Sequence, residues 1–228
     1  MARVLLLAPH PDDLEVHMGG VLLTLARAGH DLVFAHLTDG EGGTRQPQRG
    51  TRCDEARRAL DPLGSCLAWA QLPDGGLGKE AGLASWLRET LASGIYDAVF
   101  GPHPVDAHPD HAAVGAELRL AVAELPLWHW LDCLGSVAPT HVFVPGLPWT
   151  EKEALIRMHG SQIPAPGESR AHLPGGLDIA QRARQRDAAL GVQVGKAWGE
   201  PFVRAGIQRE QPLLLEDPGA FFEGLSLG

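Results

Sequence analysis

Short apolar runs alternate, over the first half of the chain, with segments in which apolar residues recur every three to four positions. Each run has the length and composition of a strand buried on both faces of a parallel sheet. The runs lie at residues 4–8, 32–37, 66–70 and 97–100. The helical spacing between them is clearest after the first run, where Met18, Val21 and Leu25 share one face, and Gly29 is a suitable helix end. Strand and helix in alternation predict parallel pairing.

The remaining helices and strands follow from the same patterns. Apolar spacing predicts helices from about Arg52, over residues 83–92, and on the face marked by Val114 and Leu125. Strand-like pieces follow at residues 127–131 and 141–144. Thr150 and Glu153 have the spacing of a capping box and predict a further helix start. Residues 163–176 are rich in proline and glycine and predict a loop, and the arginines at 182, 184 and 186 indicate a solvated helix face.

Composition narrows the class of protein. The chain has 228 residues, of which 44% are hydrophobic and 21% charged. This length favours one domain over residues 1–228. With the alternating strands and helices, we expect an α/β domain with a mostly parallel sheet and helices on both faces. The net charge of −9 argues against a nucleic-acid or anionic-membrane partner. We expect no signal peptide and no membrane helix, so the predicted location is the cytoplasm. The three cysteines lack the spacing of a disulfide framework or a thiolate zinc site.

Two similar polar clusters carry the candidate chemistry. His-Pro-Asp-Asp stands at residues 10–13 and His-Pro-Asp-His at residues 108–111, each directly after a predicted strand and at the start of a helix. Because ligand sites of open α/β folds lie at the carboxyl edge of the sheet, both clusters are predicted to form one site. Their histidines and carboxylates are ligands that a divalent metal such as zinc accepts.

A hydrolytic zinc site needs three protein ligands and one open position for water. We expect His10, Asp13 and His111 to be these ligands. Asp12, next to a ligand but free, is the candidate general base. His108 faces the same cavity and could stabilise a developing oxyanion, with Asp110 holding its ring.

The two motifs together resemble those of the LmbE-like family, also called the PIG-L N-acetylglucosaminyl deacetylases. The resemblance extends to the Gly-rich segment at residues 37–45, Leu-Pro-Asp-Gly at 72–75 and His-x-Ser-Gln at 159–162. It implies a Rossmann-like fold, one zinc ion per chain and removal of an acetyl group from the 2-acetamido group of a small GlcNAc conjugate. It also implies that His10, Asp13 and His111 bind the metal, that Asp12 is the base, and that His108 and Asp110 stabilise the oxyanion.

Finer features suggest a substrate and mark departures from the family. The Asp-Asp-Leu-Glu form of the first motif resembles deacetylases that act on GlcNAc-malate in bacillithiol biosynthesis. Arg45 is then a candidate clamp for the malate carboxylates, although a solvated loop arginine is an equal alternative. Glycine is common in the family where this chain has His17, and His103 is a second unexpected imidazole.

Other interpretations stay open at this stage. Asp74 fits a plain turn. His159 is either structural or directed at the cleft. A metal-dependent phosphoesterase or a non-catalytic sugar-binding module could use the same cleft, and the sequence leaves a homo-oligomer open.

Overall fold

In the part of the chain that the structure describes, eight strands form one sheet in the order β3-β2-β1-β4-β5-β7-β6-β8. The computed structural model describes residues 1–43, 50–63, 66–132, 137–165, 167–168 and 174–223. Strands β1 to β5 pair in parallel, β7 runs antiparallel to both β5 and β6, and β8 pairs in parallel with β6. The strands are β1 (Arg3–Ala8), β2 (Asp31–Thr38), β3 (Cys66–Leu72), β4 (Ala98–Pro102), β5 (Leu127–Trp130), β6 (His141–Phe143), β7 (Glu200–Arg204) and β8 (Leu213–Leu215).

Six α-helices flank this sheet within the described residues. They are α1 (Asp13–Arg27), α2 (Thr51–Leu60), α3 (Leu83–Ala92), α4 (Pro109–Ala121), α5 (Trp149–Arg157) and α6 (Ile179–Gln193). One apolar cluster joins α1 and α2 to one face of β1, β2 and β4, and a second joins α3 and α4 to the other face. The predicted α/β class, the mostly parallel sheet and the helices on both faces are confirmed.

The apolar runs became strands because both of their faces are covered. Every residue of β1 after Arg3 is buried, with side chains alternating between the two apolar clusters. β1 lies between β2 and β4 in the sheet, so the chain leaves it on one side to reach β2 and returns on the other to β4. The carboxyl ends of β1 and β4 therefore border the crevice where the strand order reverses, which positions the site.

The start of α5 differs from the predicted capping box. Helix α5 begins at Trp149 after Pro148, whose side chain provides no cap, so Thr150 lies inside the helix and does not precede it. The capping box in this part of the chain belongs to α6. There the Asp178 side chain accepts the Gln181 N–H, and the Gln181 side chain accepts the Asp178 N–H.

Helix α1 is interrupted one turn after the first motif. Met18 has non-helical angles (φ −141°, ψ 26°). The buried Glu200 carboxylate of β7 accepts the Gly20 and Val21 N–H groups, both at 2.8 Å. A side chain from a distant strand thus satisfies the amides that the break exposes.

Two predictions fall partly or wholly beyond the described part of the chain. Arg45 lies outside it, as do residues 166 and 169–173 of the predicted loop at 163–176. None of the described helices combines the length and the apolar character that crossing a bilayer requires.

Candidate active site

The two motifs meet at the carboxyl edge of the sheet, as predicted. β1 ends at Ala8, and residues 10–13 form the turn into α1, whereas residues 108–111 carry the chain into α4 beyond the end of β4. Pro109 occupies the first turn of α4, where its missing N–H has no cost. The pairing of β1 with β4 brings the two turns together although about a hundred residues separate them in the chain.

The side chains of the three predicted ligands converge between the two turns. His10 Nδ1 lies 3.2 Å from Asp13 Oδ2 and 3.3 Å from His111 Nε2, and His111 Nε2 lies 3.2 Å from Asp13 Oδ1. All three side chains are buried. Atoms about 3.2 Å apart are spaced as ligands that surround one ion at 2.0–2.1 Å would be. His10, Asp13 and His111 therefore fit a single small divalent cation.

A carboxylate lies within 3.5 Å of the outer nitrogen of each of these histidines. His10 Nε2 lies 3.1 Å from Asp74 Oδ1 and 3.5 Å from Asp110 Oδ2, and His111 Nδ1 lies 3.4 Å from Asp106 Oδ1. A carboxylate on the far nitrogen fixes the ring orientation and the tautomer of a metal-binding imidazole. Asp74 is thus part of the site and more than the plain turn expected of it.

Asp110 has a different neighbour from the predicted one. Its carboxylate accepts the main-chain N–H groups of Gly75 and Leu77 at 2.7 and 2.9 Å and approaches His10. His108 Nδ1 instead accepts the main-chain N–H of Asp110 at 3.2 Å. The expectation that the Asp110 carboxylate holds the His108 ring is therefore wrong. The carboxylate is drawn away because it docks the residue 75–77 loop on α4.

His108 caps α4 and presents its other nitrogen to the cleft. Since Nδ1 accepts a hydrogen bond, the neutral ring carries its proton on Nε2. The His108 ring centroid lies 4.6 Å from that of His10 and 4.7 Å from that of His111. Burial and the two neighbouring imidazoles lower the pKa of His108. A neutral ring can still donate from Nε2, so donation to an oxyanion needs no imidazolium.

The electrostatics of the ligand cluster favour a cation. Burial alone would lower the pKa of His111, but the Asp13 carboxylate outweighs it and raises that pKa to about 9. For Asp13, burial opposes ionisation, yet His111 and His10 hold the pKa of the carboxyl well below its usual range. The cluster therefore stabilises positive charge beside the ionised Asp13 carboxylate. A divalent ion can supply this charge in place of protons.

Asp12 is paired with an arginine that the sequence reasoning did not select. Arg52, near the start of α2, donates from Nη2 to Asp12 Oδ1 at 2.7 Å and from Nη1 to the Gly40 carbonyl at 2.7 Å. Burial would raise the pKa of Asp12, but the Arg52 charge outweighs it and the pKa is lowered. Asp12 is therefore ionised and fixed at the wall of the cleft.

His17 reaches the site from α1, and Arg186 of α6 decides its tautomer. Arg186 Nη1 lies 2.7 Å from His17 Nδ1, and arginine can only donate, so Nδ1 accepts and Nε2 bears the proton. His17 Nε2 lies 3.7 Å from Asp13 Oδ1, and the ring stacks on Trp130 at 4.3 Å. His17 thus directs an N–H at Asp13 and offers the metal no lone pair.

Of the three arginines predicted to form a solvated face of α6, Arg182 and Arg184 are exposed as expected, and Arg186 is not. Arg186 is buried, and it also donates to the carbonyls of Val16 and Leu131 and to Asp187. Arg184 lies over the Trp149 ring, with 5.0 Å between its guanidinium carbon and the ring centroid. Of the three arginines, only Arg182 and Arg186 line the cleft. The sequence pattern predicts that these arginines lie on a helix, but it does not show that the helix borders a site.

The cleft above these residues has a volume of about 490 Å³. One wall holds the two motifs with Arg52 and Asp74, and the facing wall holds Gln162 and α6 with Arg182. His159 does not border it. Its Nε2 lies 3.0 Å from Glu15 Oε1, and both side chains are fully buried, so the structural interpretation is the right one.

Comparisons with known proteins agree with this arrangement. The profile of the family described as GlcNAc-PI de-N-acetylase (PIG-L) matches residues 5–122, more than half of the chain. The diacetylchitobiose deacetylase of Thermococcus kodakarensis is 26% identical over 188 residues, which cover 71% of this chain and 70% of that protein.

Solved structures share the fold. The conserved protein TT1542 of Thermus thermophilus superposes with a TM-score of 0.74 at 25% identity, covering 94% of this chain and 97% of that one. The 4-carboxy-2-hydroxymuconate hydratase of Pseudomonas putida superposes with a TM-score of 0.69 at 16% identity, covering 93% of this chain and 100% of that one. Since a hydratase has the same fold as this chain, the fold alone does not determine the reaction, which depends on the residues of the site.

Proposed function

Because the chain belongs to the GlcNAc-PI de-N-acetylase family, we propose that it is a zinc-dependent hydrolase that removes the acetyl group from the 2-acetamido group of a GlcNAc conjugate. The products are a free amine and acetate. The observation that carries the proposal is that His10 Nδ1 and His111 Nε2 lie 3.3 Å apart and that each lies 3.2 Å from one of the two Asp13 carboxylate oxygens. The ionised Asp12 carboxylate lies beside this cluster and is not part of it.

His10, Asp13 and His111 would hold the metal. Two nitrogens and one oxygen favour zinc over magnesium and calcium, which prefer oxygen ligands. When bound, zinc supplies positive charge that polarises the acetamide carbonyl and lowers the pKa of the attacking water. The carboxylates near the outer nitrogens of the two histidines, those of Asp74, Asp110 and Asp106, would orient the rings before the substrate binds. No free energy is then spent on reorganising the rings during the reaction.

Asp12 and His108 would carry out proton transfer and oxyanion stabilisation. Asp12 accepts the proton of the attacking water, and Arg52 keeps the Asp12 carboxylate ionised and pointed at the cleft. His108 donates from Nε2 to the oxygen that becomes negative when the carbonyl carbon turns tetrahedral. The acetamide nitrogen must leave as an amine and needs a proton, which Asp12 can return.

Metal analysis and acetate release test the proposal together. Purified protein loaded with zinc should contain one ion per chain and release acetate from at least one member of a panel of GlcNAc conjugates, including N,N'-diacetylchitobiose and GlcNAc-malate. His111→Ala should lose both properties, and the control His30→Ala, at a histidine remote from the cleft, should keep both.

The other outcomes are distinguishable. Equal zinc content in His111→Ala and the parent protein would contradict the ligand assignment. Zinc binding with hydrolysis of phosphate esters, and without acetate release, would establish the phosphoesterase alternative. Sugar binding without turnover would establish a binding module.

The finer proposal concerns the group attached to the sugar. GlcNAc-malate, as in bacillithiol biosynthesis, carries two carboxylates that need a cation at the cleft. Arg182 lines the wall opposite the motifs, and Arg45 stays a sequence-based candidate. We expect kcat/KM to be higher for GlcNAc-malate than for a neutral conjugate, and the responsible arginine to lose this preference on replacement by alanine. One charge-assisted hydrogen bond is worth about 1.5–3 kcal/mol. An unchanged ratio in both Arg45→Ala and Arg182→Ala would dismiss both clamps.

A further inference from the structure

A second cavity, of about 510 Å³, lies beside β5 and shares no lining residue with the active-site cleft. Side chains alternate along β5. Trp128 and Trp130 pack in the apolar cluster of α1, whereas Leu127 packs in that of α3 and α4. His129 therefore points to the α4 side of the sheet, away from Trp130 and its contact with His17. The cavity is bordered there by α4, by the end of β4, by residues 137–140 and by the segment after β7.

The charges that border this cavity all have one sign. Its lining includes Arg119, Arg204 and Arg209, and no aspartate or glutamate, among the residues that the structure describes. This is notable in a chain with a net charge of −9. Arg204 is engaged by the Glu223 carbonyl and the Trp128 ring. Arg119 and Arg209 make no hydrogen bond or ion pair with another residue in the described ranges, so their guanidinium groups are available to a ligand.

Two histidines add one donor and one acceptor. His129 is only 1% exposed, and its Nδ1 donates to the Pro102 carbonyl at 2.7 Å, so Nε2 of the neutral ring keeps a lone pair. That buried Nε2 has no hydrogen-bond partner within the described part of the chain. His103 is arranged in the opposite way. Its Nδ1 accepts the Val105 N–H at 3.0 Å, which leaves a donor N–H on Nε2.

The protonation states support these roles. Burial lowers the pKa of His129 to about 4, so its ring is neutral near pH 7. The pKa of His103 is lowered as well, chiefly by burial. The cavity thus offers cationic donors at its rim and a neutral acceptor at its buried wall, and a buried acceptor without a partner is costly.

We propose that this cavity binds a small hydroxylated anion, a hydroxycarboxylate or a polyol phosphate. The anionic group contacts Arg119 and Arg209, with the His103 Nε2–H as a further donor. A hydroxyl group of the ligand donates to His129 Nε2. The required ligand therefore carries negative charge at one end and a hydroxyl hydrogen a few bonds away. The proposal does not depend on deacetylase activity.

Calorimetric titration with matched pairs of anions tests both parts. L-malate and succinate differ by one hydroxyl, as do glycerol 3-phosphate and propyl phosphate, and the two pairs distinguish a carboxylate from a phosphate ligand. Within the pair that binds, the hydroxylated member should bind about 2- to 10-fold more tightly, the size of one neutral hydrogen bond. The zinc-loaded protein is used throughout.

Variants assign the binding to this cavity. Arg119→Gln and Arg209→Gln should each weaken both members of the pair by about 10-fold or more, because charge-assisted hydrogen bonds are lost. His129→Leu should abolish the preference for the hydroxyl while retaining most of the anion affinity. Arg88→Gln, at an exposed arginine of α3, is the control and should change nothing. Arg119 and Arg209 are exposed, so their variants test the proposal even if His129→Leu does not fold.

Three results would overturn the proposal. One is the absence of binding by all four anions at millimolar concentration, which would leave water as the partner of His129. Another is unchanged affinity in both Arg119→Gln and Arg209→Gln. The third is affinity lost only in Arg182→Gln, which would place the anion in the active-site cleft instead.

Discussion

Asp12 and Asp13 are neighbours in the chain, yet their side chains have opposite partners. Asp13 contacts two imidazoles, and Asp12 contacts a guanidinium. We predict that Asp12→Asn keeps its zinc but lowers kcat by about 10²–10⁴-fold, because the amide preserves the shape of the side chain but accepts no proton. Parallel zinc analysis and steady-state kinetics of acetate release measure the two effects. A kcat within a few-fold of the parent value would remove Asp12 from the mechanism.

His17 should act as a positioning residue for Asp13. His17→Leu removes the acceptor for Arg186 and the imidazole whose Nε2 lies 3.7 Å from Asp13 Oδ1, and we expect zinc affinity to fall by about 10–100-fold. Glutamine offers an oxygen and an amide, so His17→Gln should recover most of that loss, and both variants should bind one zinc ion at saturation. Competition with a chromogenic chelator measures the affinities. If His17→Gln bound zinc as weakly as His111→Ala, His17 would be a ligand and the tautomer argument would be wrong.

The sequence indicates the proposed ligands but not the residues that contact them, for a physical reason. His10 and Asp13 share one turn, and His108 and His111 share another, so local spacing displays them. The residues that support the site come from elsewhere in the chain. Examples are Arg52, which contacts Asp12, and Arg186, which contacts His17. No local pattern distinguishes such an arginine from a solvated one. The exception is Asp74, whose Leu-Pro-Asp-Gly motif is visible in the sequence but also fits a plain turn.

At the scale of elements, α4 must lie very close to the end of β4. A Cβ atom at Gly115 would be 2.6 Å from main-chain atoms of Pro102, His103 and Pro104. Alanine usually favours a helix over glycine by about 1 kcal/mol. Here the clash is with backbone, which cannot rotate away, so we predict that Gly115→Ala destabilises the protein by about 1–3 kcal/mol.

The same substitution should reach the site, since α4 carries His111. We expect Gly115→Ala to bind zinc more weakly than the parent even under conditions where it is folded. Gly146→Ala is the matched control, because no atom lies within 4 Å of its Cβ position. Urea unfolding and zinc competition of the two variants provide the comparison. Equal stability of both variants would show that α4 can shift, and the fixed position of His111 would then need another cause.

The boundaries of helices and strands can be predicted where apolar side chains repeat at the spacing of the element. They cannot be predicted where buried polar side chains hold the element in place. Helix α3 covers residues 83–92 as its spacing predicts. Strand β7 begins with Glu200 and Pro201, a pair of residues more typical of a turn. Glu200 can nevertheless be fully buried, because its carboxylate accepts hydrogen bonds from the main-chain N–H groups at the break in α1 and from the Lys152 ammonium group. Its strand character depends on antiparallel pairing with β5 and β6, which the sequence does not encode locally.

Across the whole molecule, a buried ionic network connects the late elements to the first motif. Lys152 of α5 lies 2.7 Å from both Asp187 of α6 and Glu200 of β7, and all three side chains are fully buried. Asp187 also accepts from Arg186, the partner of His17. Such networks contribute little net stability but are costly to break. The one that connects α5, α6 and β7 therefore constrains the orientation of His17 and, through it, of Asp13.

Histidines held neutral in the fold should make the whole molecule sensitive to acid. Burial, followed by the charges of Arg209 and Arg204, lowers the pKa of His141 to about 4, and His141 Nδ1 lies 2.8 Å from the Thr140 hydroxyl oxygen. The ordinary pKa of histidine is about 6.5. The stabilisation is therefore complete above pH 6.5 and is lost as the pH falls from 6.5 to 4, since the unfolded chain binds a proton there that the folded chain does not.

We accordingly predict that His141→Gln flattens the dependence of stability on pH. Its free energy of unfolding should fall less steeply than that of the parent between pH 6.5 and pH 4, by up to about 1.4 kcal/mol per pH unit, because one histidine no longer takes up a proton on unfolding. Urea titrations of both proteins at half-unit intervals from pH 4 to pH 8 measure this difference, and contributions from carboxylates cancel between them. The two curves should run parallel above pH 7, where neither state binds the proton. Parallel curves below pH 6 as well would mean that His141 is protonated in the folded protein, and its environment would then have to hold a charge beside two arginines.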